Sequence, residues 1–192
     1  MTSGMLAGHR VLGFDLETTG FNPRSDRVIQ YALVGSEADE TRVNLHSLVN
    51  PGMSIPDKST RVHGITDDDV RGLDGFANHA ERICSLIEGA VIVGHNVIAF
   101  DWKFVEMECM RIGFEVPRPH AIIDTLVIAR RFGVPGSHKL GTLCDRFDIS
   151  LQRSHRADVD AGATLLLLWK IMKAYPMKFK GTVEEFVNSL SR

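Results

Sequence analysis

The chain lacks the features that would mark a secreted or membrane protein. Its three cysteines, Cys84, Cys109 and Cys144, are odd in number, widely spaced and form no C-x-x-C pair. That excludes a disulfide framework and a cysteine-built zinc site, and leaves buried thiols as the expectation. Long hydrophobic runs are missing too. The longest, Leu165 to Trp169, falls far short of the roughly 20 residues that cross a bilayer, so no membrane partner is expected. Residues Met1 to His9 show no cationic start followed by an apolar run, which argues against a signal peptide and for a cytoplasmic location. Nor is there an excess of charge. Lys and Arg number 22 against 24 Asp and Glu, for a net charge of -2. A strongly basic nucleic-acid binder is excluded, although a cluster of metal-binding acids would hide local basic patches in such a total. Repeats, low-complexity tracts and Pro- or Ser-rich linkers are absent. At 192 residues and 44% hydrophobic content, a short extension over 1–9 and a single domain over 10–192 are expected.

What is present reads first as strands. Val11–Leu16, Arg27–Gly35 and Thr41–Val49 carry alternating or continuous apolar content, with short polar connections that suit antiparallel neighbours. Asn50–Gly64 reads as a loop rich in turn formers, and Thr66 as the cap of an acidic helix start. Helical spacing follows over Phe76–Glu88, Phe100–Ile112, Asp124–Phe132, Lys139–Phe147, Ala157–Ala174 and Lys180–Arg192. In the longest of these, Ala161, Leu165, Leu168 and Met172 form the expected buried stripe. Short buried strands lie at Ala90–Gly94 and Ala121–Ile123. Strands first, then strand–helix alternation, predict an α/β fold with a mixed sheet flanked by helices.

Three acidic segments stand out. In Asp15-Leu16-Glu17 the two carboxylates share one face of a strand, with Leu12, Phe14 and Leu16 on the other. Taken alone, the pair reads more readily as a solvated strand end than as a cation site. Asp101 sits in a first helical turn, after Asn96 and Phe100, where the helix dipole already favours an acid. His155 and Asp160 flank the start of the longest helix. Five residues apart within one helix they would point about 140° from each other. They converge only if His155 belongs to the preceding loop. Spacing leaves Asp158 open as a competitor to Asp160.

Together these segments resemble the three motifs of the DEDD-type 3′–5′ exonucleases. Asp15-Leu16-Glu17-Thr18-Thr19-Gly20 is similar to the D-x-E motif, Asn96 to Asp101 to the second motif, and His155 to Asp160 to the histidine form (DEDDh) of the third. His63-Gly64-Ile65-Thr66 and Ile123-Asp124-Thr125-Leu126 are further matches. Three residues separate Asn96 from Phe100, where many histidine-type members have two.

The resemblance implies an RNase H-like mixed sheet of about five strands, the first three antiparallel. It implies Asp15, Glu17, Asp101 and Asp160 as ligands of two Mg²⁺ or Mn²⁺ ions, with Asp15 bridging both. It makes His155 the base that takes a proton from the attacking water. Leu16, Thr18, Thr19, His63, Asn96 and Phe100 would meet the substrate, and His95 and Asp124 would support them. Basic residues at 103, 111, 130, 131, 139, 153 and 156 are candidates for a strand-binding rim. The expected substrate is the single-stranded 3′ end of DNA, with a DNA polymerase as an expected partner. The alternatives are a 3′–5′ exoribonuclease resembling RNase T or oligoribonuclease, a non-catalytic polymerase-associated nucleic-acid-binding module, and an RNase H-like endonuclease. The His63–Thr66 segment resembles the epsilon proofreading subunit of bacterial polymerase, which favours DNA.

Overall fold

The computed structural model describes residues 4–151 and 156–190. Five strands, β1 (Val11–Thr18), β2 (Val28–Ser36), β3 (Arg42–Leu48), β4 (Val91–Gly94) and β5 (Ala121–Asp124), form one sheet in the order β3-β2-β1-β4-β5. The first three pair antiparallel, while β4 runs parallel to β1 and β5 parallel to β4. This is the mixed RNase H-like sheet expected from the sequence. β1 lies at its centre, so its side chains are covered on both faces.

The period-two pattern of β1 divides the molecule into layers. Leu12, Phe14 and Leu16 point into a core shared with α3 (Phe76–Ile87) and α4 (Asp101–Ile112). Val11, on the opposite face, joins Val91, Val93 and Ile123 under α5 (Thr125–Arg131), α6 (Leu140–Arg146), α7 (Ala157–Ala174) and α8 (Val183–Leu190). All three cysteines are buried free thiols.

On that second face, α7 crosses β1 and β2 over small residues. Ala32, Ala157 and Ala161 pack together. A Cβ at Gly13 would collide with the carbonyl oxygen of Ala161. Glycine at 13 therefore permits an approach that no other residue allows.

Three local expectations change. The 50–64 stretch holds two turns of helix, α1 (Asp57–His63), between extended Pro56 and Gly64 at φ 78°. Its turn formers bracket a helix instead of filling a loop. The C-terminal helix begins at Val183, because Gly181 adopts φ 84° and Thr182 and Glu185 then exchange capping hydrogen bonds. The buried stripe of α7 is wider than expected. Leu165 is only half-buried, and Ala163, Thr164, Leu167 and Ile171 are buried instead. The acidic segment at 67–70 forms the short helix α2 (Asp67–Val70), closed by a Thr66–Asp69 capping box.

Candidate active site

Asp15 and Glu17 leave β1 on the face covered by α7, and Asp160 descends to them from the first turn of that helix. One oxygen from each of the three lies within 4.8 Å of the others. Asp101 joins from the first turn of α4. It is buried, and its Oδ1 accepts the Leu16 backbone N–H at 3.0 Å. That bond ties the start of α4 to the strand that carries the other two acids. Asp158, the competitor in the sequence, is ion-paired with Arg156 and takes no part in the cluster. His155 lies outside the described residues.

Burial and neighbouring negative charge make carboxylates hold their protons more tightly. Burial, then the charges of Asp101, Glu17 and Asp160, lift Asp15 well above the usual carboxylate range. Burial, with Asp160 and Asp101, pushes Glu17 up to about 8. Asp101 rises to about 7 through burial, despite backbone N–H donation from its own residue and from Leu16, and the charge of Asp124 adds to the rise. Such a cluster ionises fully when a multivalent cation replaces its protons. An all-carboxylate donor set of this kind fits a hard divalent ion.

Residues outside the acid cluster position the acids. α7 has no cap of its own at Arg156. The buried side chain of Gln30, on β2, supplies one: its Oε1 accepts the Ala157 N–H at 3.0 Å. Asp124, at the end of β5, accepts the backbone N–H groups of Asn96, Ile98 and Leu126. It thereby braces the loop between β4 and Asp101, in which Asn96 adopts φ 64°. Glu108 of α4 is fully buried and receives Arg27 through two hydrogen bonds, with Arg111 beside it. Arg111 also donates to the Pro23 carbonyl. This group clamps the 19–27 segment onto α4.

Two cavities meet beside the acids. Leu16, Glu17, Thr18, His63 and Phe100 line the smaller, of about 170 Å³. His95, Asn96 and Asp160 line part of the larger, of about 1030 Å³. His63 does two jobs, since its Nδ1 also accepts the Ile65 N–H and fixes the following turn. Thr19 lines neither cavity. It is fully buried, and its hydroxyl accepts the Arg27 N–H within the turn.

The sequence reading missed Phe21, Gln30 and Gly13. Phe21 lines both cavities, is 82% exposed and lies 6.1 Å from the Phe100 ring. An aromatic beside Gly20 in a polar turn was the available signal for it. Gln30 carried no signal, because its partner is 127 residues away.

Comparison with known proteins agrees with this geometry. The family model described as "Exonuclease", of RNase T type, matches residues 12–168. DNA polymerase III PolC-type from Listeria welshimeri is 35% identical over 162 residues, which cover 83% of this chain and 11% of that protein. The 3′-5′ exonuclease DinG of Bacillus subtilis is 34% identical over 167 residues, 85% of this chain and 18% of that one. This chain thus spans less than a fifth of either relative. In fold it is similar to E. coli exonuclease I, solved in complex with a dT13 oligonucleotide. The TM-score is 0.76 at 22% identity, covering 88% of this chain and 42% of that one. With its family model matched over most of its length and its acids gathered at one end of the sheet, the chain belongs to the DEDD-type exonuclease family.

Proposed function

We propose that the chain is a metal-dependent 3′–5′ exonuclease that removes nucleotides from the single-stranded 3′ ends of DNA. The observation that carries this reading is the cluster of Asp15, Glu17 and Asp160 oxygens within 4.8 Å of one another, with Asp101 tied to the same strand. The raised pKa values of Asp15, Glu17 and Asp101 mark a site built to exchange protons for cations. Two Mg²⁺ or Mn²⁺ ions, when bound, supply Lewis acidity and a readily ionised water. Asp15, Glu17, Asp101 and Asp160 hold them. His155 takes the proton of the attacking water, a task suited to an imidazole near neutral pH.

The smaller cavity receives the terminal nucleotide. Leu16, Thr18, His63 and Phe100 form its walls, and Phe21 stands at its mouth as a surface on which a base can stack. Asn96 faces the strand from the larger cavity, while Thr19 shapes the turn behind Thr18. Kinship with a polymerase and with a 3′-5′ exonuclease favours DNA, and makes a DNA polymerase the partner class and the cytoplasm the compartment of this reading.

The test is a 5′-labelled single-stranded oligonucleotide, as DNA and as matched RNA. With Mn²⁺ the expected product is a ladder that shortens from the 3′ end, faster on DNA, and absent in EDTA. Continued cutting of a 3′-blocked substrate would show an endonuclease instead. Faster degradation of RNA would move the assignment to an exoribonuclease. His155→Ala is expected to slow the reaction by about 10²-fold or more.

A further inference from the structure

Seven basic residues were candidates for a strand-binding rim, and the structure separates them. Lys103 is paired with Glu106, Arg111 with Glu108, and Arg156 with Asp158. Arg153 lies outside the described residues. Arg130 and Lys139 are exposed, make no ion pair among the described residues, and both line the larger cavity, as Asp160 does. Arg131, their neighbour, is exposed outside it.

A built framework brings the two together from different elements. Arg130 is in the last turn of α5 and Lys139 immediately precedes α6. His95 spans the two elements, its Nε2 bonded to the His138 carbonyl at 2.9 Å and its Nδ1 to the Thr125 hydroxyl at 2.9 Å. A carbonyl can only accept, so Nε2 carries the proton. Burial lowers the His95 pKa, and the Thr125 hydroxyl at Nδ1 also reaches the Gly94 carbonyl at 3.1 Å, which ties the start of α5 to the end of β4. Leu126 and Leu140 line the same cavity and supply apolar surface beside the two cations.

We propose that Arg130 and Lys139 form a phosphate-binding track for the strand upstream of the scissile bond, its backbone held by the two cations and its bases lying on Leu126 and Leu140. This rests on the exonuclease reading, and it answers an electrostatic difficulty in that reading. A polyanion must pass Asp160 in a cavity beside the acid cluster, and two cations that line the same cavity and make no ion pair among the described residues offset that repulsion. The contact is to phosphate, so it carries affinity and salt dependence but no sequence preference.

The probe is dT12, bound in EDTA so that no hydrolysis occurs and followed by fluorescence anisotropy from about 50 to 200 mM salt. Removing two phosphate contacts from a single strand is expected to flatten the slope of log K against log salt by about 1.4, and so to weaken binding about sevenfold more at about 50 mM than at about 200 mM salt. Arg130→Ala/Lys139→Ala is expected to show both changes. Arg130→Lys/Lys139→Arg, which keeps both charges, is expected to retain the slope, as is Arg131→Ala. An unchanged slope in the double alanine variant, with an unchanged melting temperature, overturns the track. Loss of slope in Arg130→Lys/Lys139→Arg overturns it as well. Because the readout is binding, a wild-type protein that fails to hydrolyse DNA would sink the exonuclease reading separately.

Discussion

The two faces of β1 solve opposite problems. Toward α3 and α4, Leu12, Phe14 and Leu16 fill a core of large side chains, where stability follows from apolar area. Toward α7 the same strand presents Gly13, Asp15 and Glu17. There a missing side chain admits a helix, and the buried groups repel one another. The first face holds the sheet together. The second accepts a local cost so that Asp160 can reach the strand, and that arrangement is tolerable once a cation is bound.

The contrast can be broken most severely at Asp15. Asp15→Asn is expected to lower turnover well beyond the roughly 100-fold lost when a group supporting a metal ligand is removed. Its melting temperature without metal should stay level or rise, because like-charge repulsion is relieved. Steady-state rates with Mn²⁺ and a thermal melt in EDTA check both halves. A folded variant with near-normal turnover would refute the assignment.

Gln30→Leu removes the cap that holds the first turn of α7. A loss of about 10–100-fold in metal affinity or activity is expected, with about 0.5–2 kcal/mol of stability. Gln30→Glu keeps an acceptor and should restore the cap, so titration with Mn²⁺ should rank it between wild type and Gln30→Leu.

Gly13→Ala tests the close approach itself. Overpacking of this kind costs about 1–3 kcal/mol, and here it should also weaken Mn²⁺ binding. On the other face, Ile92→Val should cost about 0.5–1.5 kcal/mol and leave Mn²⁺ binding unchanged. Denaturant midpoints and metal titrations on the pair sharpen the distinction between a face that stabilises and a face that positions.

The smallest effect is in pH. Glu17 is raised from 4.5 to about 8, so the folded, metal-free protein binds more protons than the unfolded chain between those values. Its contribution to stability is therefore fully present below about 4.5 and lost as pH rises through about 8. Without metal the melting temperature should fall across that window. With saturating Mg²⁺ or Mn²⁺ the fall should shrink, and apparent metal affinity should rise with pH as protons cease to compete.

Much of this was legible beforehand because it is local. Alternation placed Asp15 and Glu17 on one face of β1, helical spacing found α3, α4 and α7, and the motif order picked out Asp101 and Asp160. What escaped detection acts between segments. Gln30 caps a helix 127 residues away. Gly13 matters only because Ala161 lies above it. Thr19 sits in the motif yet turns inward to bond Arg27, and spacing could not tell Asp158 from Asp160.

The sequence by itself determined the layers and the order of the elements, since each follows from side-chain periodicity and chain order, and its motifs drew attention to the acidic segments. The tertiary structure decided which groups share a site. It brought Asp160 and not Asp158 to the strand, set Phe21 between two cavities, and left Arg130 and Lys139 without an ion pair among the described residues while Lys103, Arg111 and Arg156 were paired. Periodicity gives a side chain its direction, but only packing brings directions from distant strands and helices to one point, and short-range electrostatics acts at that point.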